Sequence, residues 1–230
     1  MKRFWKSVEV AGADGGWEIR LDGRPVRTPA RAPLTVPTRA LADAIAEEWA
    51  SRGEEFHPRE MPLTGLANAA IDRVAPDPAA FAATLAAYGE TDLTCYRADE
   101  PPELVARQAA AWDPLHDWAR TRYDIHFEII PGIMHRPQPA ATVDRLATAV
   151  SALDPFRLAG LSPLVTIGGS LVAALAVLSR DSDAEAAFDA THLDELWQAE
   201  QWGEDALAAE ARAARKADFL AAVRFVSLLD

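Results

Sequence analysis

The stretch from Leu158 to Ser179, LAGLSPLVTIGGSLVAALAVLS, has no charged residue and is bounded by Arg157 and Arg180. At this length a helix would reach across a bilayer, for which about 20 apolar residues suffice. Pro163, Thr166, Gly168, Gly169 and Ser170 dilute its first half, and only Leu171 to Leu178 is continuously apolar. It is also the one such stretch in an acidic chain. It therefore reads as a central helix, Leu164 to Ser179, buried by neighbouring helices, with Gly168, Gly169 and Ser170 allowing another element to approach closely.

Around this core the pattern is helical. Helices are expected from Ala140 to Leu153, Asp183 to Gln201 and Glu204 to Leu228. Leu104, Gln108, Ala111, Leu115 and Trp118 keep helical spacing, with Pro114 expected to kink or restart that helix and Asp113 to cap it. Ile125 to Ile130 is the one strand-like interruption, a candidate to join an N-terminal sheet. Before Pro101 and Pro102 the period is two rather than 3.6. Lys6 to Val10 and Trp17 to Leu21 read as strands, and Asp22-Gly23 makes a tight hairpin into Pro25 to Thr28 because that pair supplies positive φ. Leu34 to Val36 adds a strand. Thr38 caps a helix closed by Gly53, a second helix runs from Gly65 to Val74, and a third starts at Asp77-Pro78. The fold class is α+β: a small β-rich α+β domain over residues 1–98 and a larger, mainly helical domain over residues 99–230.

The net charge of −12 over 230 residues argues against a sequence-independent grip on nucleic acid. The lone Cys95 excludes an internal disulfide and fits a reducing compartment. Lys2, Arg3 and Lys6 are followed by no apolar run, so no secretory signal is expected and the chain reads as mature and cytoplasmic. No phosphate-binding loop, dinucleotide fingerprint, nucleophile elbow or His-Glu-x-x-His occurs. His192 and Glu195 stand three apart on a helix, but nothing supplies the second such pair that a di-metal bundle needs. Neither metal nor cofactor is expected.

The densest chemistry lies at Leu193-Asp194-Glu195-Leu196-Trp197-Gln198 and Glu200-Gln201-Trp202-Gly203-Glu204-Asp205. On one continuous helix Leu193, Leu196 and Trp197 share an arc with Ala186 and Ala190, which reads as core. Phe188, His192, Glu195, Ala199 and Trp202 form a second stripe, aromatic and acidic together. Capping the core with solvated acids and docking a partner are both open readings of that stripe. An acid–base role for Glu195, His192 and Asp92 in an uncharacterised enzyme is the alternative, and a membrane-peripheral scaffold built on Leu158 to Ser179 a third.

Taken in order, Arg3-Phe4-Trp5-Lys6, Leu21 to Pro29, Glu47-Glu48-Trp49, Met61-Pro62-Leu63-Thr64, Ala70-Ile71-Asp72, Thr91-Asp92 to Ala98, Trp112-Asp113-Pro114-Leu115, Gly169-Ser170-Leu171 and the final acidic block resemble the "ATP twelve" family of ATP synthase assembly chaperones. Trp5 departs from the family's usual Tyr, and the Ala-rich tail resembles the bacterial branch. The resemblance implies an α+β domain followed by a helical one and a non-enzymatic activity. That activity is to bind and shield the unassembled alpha subunit of the F-one ATPase. A monomer without stable membrane insertion is expected. It also implies that one glutamate of the final block is essential. Glu195 matches that position with Asp194 as alternate, and His192, Phe188, Trp202 and Gly203 complete the partner-binding set.

Overall fold

The computed structural model describes residues 2–230 and is α+β, as the change of apolar period predicts. β1 (Val8–Ala13) and β2 (Gly16–Leu21) pair antiparallel across Asp14-Gly15. A Cβ on Gly16 would sit 2.2 Å from the Val36 carbonyl oxygen, so only glycine lets the neighbouring strand lie there. β2 turns through Asp22 and Gly23, with φ of 48° and 76°, into β3 (Arg24–Pro25). This is the hairpin read from the Asp-Gly pair. The Asp22 carboxylate also accepts from the backbone N–H groups of Lys6 and Ser7. β4 (Thr35–Val36) pairs with the start of β2.

α1 (Arg39–Ala50) starts as expected, the Thr38 hydroxyl accepting from the Leu41 N–H at 3.2 Å. It buries Leu41, Ile45 and Trp49. Ser51 rather than Gly53 ends it. α2 (Pro62–Ala69) runs on as a π turn through Ala70–Val74, and it starts three residues before the expected Gly65. The cause lies on another helix. The buried Glu48 carboxylate accepts from the N–H groups of Leu63 (2.8 Å) and Thr64 (2.9 Å) and from the Thr64 hydroxyl (2.8 Å). A negative charge at the positive end of a helix is stabilising there. α3 (Pro78–Ala86) starts with Pro78, as predicted.

β5 (Tyr96–Arg97) pairs in parallel with β6 (Ile130–Pro131), which is all that remains of the expected Ile125 to Ile130 strand, and β6 does not join the N-terminal sheet. Between them α4 (Pro102–Tyr123) passes through Pro114 without restarting. Asp113 does not cap it but pairs with Arg97 at 2.9 Å. α5 (Ala140–Ser151) follows, then α6 (Pro155–Gly168) and α7 (Leu171–Leu178). The single helix expected over Leu164 to Ser179 is thus two. Gly169 takes φ of 67°, and the Ser170 hydroxyl accepts from Ala173 N–H at 3.1 Å to begin α7. The fully buried Asp92 carboxylate accepts from Val172 N–H at 3.0 Å. Leu171 to Val177 are all buried, as predicted for the core of the helical part. No helix among the described residues is long and apolar enough to cross a membrane. α8 (Ala184–Thr191), α9 (Leu193–Trp202) and α10 (Ala206–Ser227) complete the chain.

The packing forms two compact units. One holds residues up to Pro78 together with Asp154–Gly160 and Ala221–Asp230, the other Ala79–Leu153 with Leu161–Leu220. This differs from a cut between residues 98 and 99. Residues 79–98 belong with the helical unit because Asp92 caps α7 and Leu93 N–H donates to the Gly169 carbonyl at 3.0 Å. In the first unit Trp5, Trp49 and Phe56 meet edge to face, and Arg157 pairs with Asp230.

Candidate partner-binding site

The stripe read on one helix from Asp183 to Gln201 is broken at His192, which has φ of −108° and ψ of 16°. Asp183 lies one residue before α8 and caps it, accepting from Ala186 N–H at 2.9 Å. At the other end the indole N–H of Trp112 donates to the Ala190 carbonyl at 2.7 Å. That carbonyl is the one Asp194 N–H would have used in a continuous helix. The His192 N–H shares the Phe188 and Asp189 carbonyls, the chain tightens, and α9 restarts in a new phase.

The break separates the predicted residues. Phe188 is buried, its ring edge-on to Phe219 and stacked on the buried His192 with centroids 3.9 Å apart. His192 Nδ1 donates to the Phe188 carbonyl at 2.9 Å, which fixes the proton on that nitrogen because a carbonyl only accepts. Burial, opposed in part by that carbonyl, holds the imidazole pKa below its ordinary value. Both rings of the expected partner-binding set are thus buried in this structure.

Glu195 is half-buried and paired. One carboxylate oxygen accepts from Arg212 at 3.2 Å and the other from Arg215 at 2.6 Å. Arg212 also pairs with Glu204. Asp194 is exposed and accepts from the Gln108 amide at 2.8 Å, while Gln108 itself accepts from Ala98 N–H at 2.7 Å. Trp202 is 78% exposed, and Gly203 beside it takes φ of 92° to end α9. Among the described residues of α9 none is buried, so the arc of Leu193, Leu196 and Trp197 is not core. These three are half-buried. Arg107 lies over the Trp197 ring at 4.7 Å and pairs with Glu200 at 2.6 Å. Leu193 and Leu196 line an apolar groove of about 560 Å³, shared with Ala110, Pro114, Ala186 and Ala190.

Sequence reasoning missed Arg212, Arg215, Arg107 and Gln108, which hold α9 in place. Arginines three apart in the otherwise Ala-rich α10 were the available signal. The acid–base alternative needed Asp92, His192 and Glu195 in one cleft. Instead Asp92 is 0% exposed, with its oxygens spent on Thr94 and Val172. His192 is stacked beneath Phe188 and Glu195 is neutralised by two arginines. Among the described residues no three His, Cys, Asp or Glu side chains cluster as metal ligands would.

The profile of the ATP12 chaperone protein family matches residues 2–120. The mitochondrial protein atp12 of Schizosaccharomyces pombe is 26% identical over 214 residues, spanning 88% of this chain and 74% of that protein. Among solved structures, Atp12 from Paracoccus denitrificans superposes with a TM-score of 0.95 at 46% identity, over 100% of this chain and 98% of that one. An aspartate-to-lysine mutant of the Paracoccus protein matches equally well. The Atu1473 protein of Agrobacterium tumefaciens gives 0.95 at 42% identity, over 100% and 86%. The fold, carried over its whole length, is thus that of a chaperone. The chain belongs to the ATP12 chaperone family, whose work is ATP synthase assembly.

Proposed function

We propose that this chaperone binds the unassembled alpha subunit of the F-one ATPase and shields it until the neighbouring subunit takes its place. It acts as a cytoplasmic monomer, without cofactor or catalysis. Family membership supports the class of activity. The observation that carries the reading is the surface of α9, where Trp202 stands open to solvent next to Gly203, with exposed Asp194 and half-buried Glu195 at the other end of the helix. Exposed tryptophan is costly without a partner and is the commonest hot spot when one arrives. Phe188 and His192 are buried and stacked on each other where α8 gives way to α9.

The test uses purified subunits. Free alpha subunit should form an equimolar complex with this chain and elute with it on size exclusion. Added beta subunit should release the chaperone. If the chain leaves alpha subunit unbound and retains instead the beta subunit, the assignment of client is refuted.

A further inference from the structure

Between α9 and α10 the chain makes a corner whose two large apolar side chains, Trp202 and Leu207, are 78% and 77% exposed. The corner is held from both sides. Glu195 on α9 receives Arg212 and Arg215 of α10, and Arg212 also takes Glu204 from the turn. Asp205 begins α10 by accepting from Ala208 N–H at 2.9 Å. Lys216, further along α10, ties it to α8 through Glu185 (3.1 Å) and Asp189 (3.3 Å). Both arginines of the clasp are therefore spent inside the chain. From Gln198 to Ala211 there is no Lys or Arg, while Glu200, Glu204, Asp205 and Glu210 are all acidic.

We propose that the Trp202–Leu207 corner is the element this chaperone inserts into its client, and that Glu195 acts by holding the corner in shape through Arg212 and Arg215 rather than by touching the client. The proposal rests on the alpha-subunit reading above. The occupant it commits to is an apolar recess of the unassembled alpha subunit rimmed by Lys or Arg. Glu200 and Glu204 are paired with Arg107 and Arg212, which leaves Asp205 and Glu210 to meet the rim of such a recess, and opposite sign steers the encounter. Glu195 is a positioning residue here. With its charge reversed, three cations would face one another across α9 and α10, and the corner would splay.

Capture of purified alpha subunit is measured for five chains: wild type, Trp202→Ala/Leu207→Ala, Glu195→Arg, Arg215→Glu, and the swap Glu195→Arg/Arg215→Glu. Truncating a hot-spot pair weakens binding by about 30-fold or more, so the first variant should lose capture with its melting temperature kept. Glu195→Arg and Arg215→Glu should each lose it, and the swap, which rebuilds one ion pair with the signs exchanged, should regain most of it. A fluorescence difference against Trp202→Phe reads the corner directly and should return to the wild-type spectrum in the swap. If the swap restores that spectrum but not capture, Glu195 touches the client and the positioning role is overturned. If Trp202→Ala/Leu207→Ala captures as well as wild type, the corner is not the inserted element, while the alpha-subunit reading stands. Wild-type chain that fails to capture alpha subunit overturns both.

Discussion

Asp92→Ala isolates the most deeply buried charge in the helical unit. Its carboxylate accepts from the backbone N–H groups of Thr94 (3.1 Å) and Val172 (3.0 Å) and from the Thr94 hydroxyl (2.7 Å). Truncation leaves the hydroxyl a neighbour, His116 Nε2 at 2.8 Å. The two N–H groups have none, and they lie where water does not reach. An orphaned buried donor costs about 1–3 kcal/mol, so the pair costs about 2–6 kcal/mol, a large share of the about 5–15 kcal/mol that holds a domain folded. For a chain of this size each kcal/mol moves the melting temperature by about 2–4 °C, which predicts a drop of about 8–16 °C around the middle of that range. Asp92→Asn keeps one acceptor oxygen and should lose roughly half as much. Calorimetry and urea denaturation read both variants. A melting temperature for Asp92→Ala within about 2 °C of wild type would refute the cap argument and reopen a chemical role for this residue.

Leu171→Asp places a charge at a position with no exposure and should prevent the helical unit from folding, seen as loss of near-ultraviolet dichroism. Gly160→Ala would bring a Cβ to 2.3 Å from Val226 Cγ1 within the first unit. Overpacking of about 1–3 kcal/mol should therefore outweigh the alanine's helix preference, and a stabilised variant would show that the contact yields. Burial holds the imidazoles of His116 and His192 below their ordinary pKa of 6.5. The unfolded chain then binds more protons as pH falls, so stability should be full above about 6.5 and decline through the folded values below it. Replacing both by Gln should flatten the decline in urea midpoints between pH 7 and 5. Burial also pushes the Cys95 thiol well above its ordinary range, so thiol reagents should react with it only as fast as the chain unfolds.

The parts of the fold that the sequence made legible are local. Asp22-Gly23 supplies the left-handed backbone of its hairpin, Thr38 caps the helix that follows it, and Pro78 opens its own. What was not legible depends on distant partners. α2 begins early because Glu48, fifteen residues back, supplies the cap. The apolar core stretch splits at Gly169 where Asp92, 80 residues upstream, receives Val172. The last acidic block shifts phase at His192, where the Ala190 carbonyl accepts from Trp112, 78 residues upstream. That phase shift sends Phe188 and His192 inward while leaving Trp202 and Asp194 at the surface. Reading one unbroken helix therefore found the right segment but mixed its supporting residues with its contacting ones. Pro114 lies inside α4 although it removes one backbone donor there, a cost that spacing alone does not predict the helix will bear.

The threading of the chain bears on its synthesis. The unit that contains β1 to β4 and α1 also requires Asp154–Gly160 and Ala221–Asp230. Within it Thr38 donates to the Leu228 carbonyl, Arg224 reaches Glu47, and Gly160 leaves room for Val226. During translation the first 78 residues leave the ribosome long before these closing pieces exist. Residues 79–153 and 161–220 make up the other unit without residues 221–230, so the earliest-made unit is the last to receive all its pieces. Removing residues 221–230 should then leave the late-sequence helices structured while exposing the early sheet to protease.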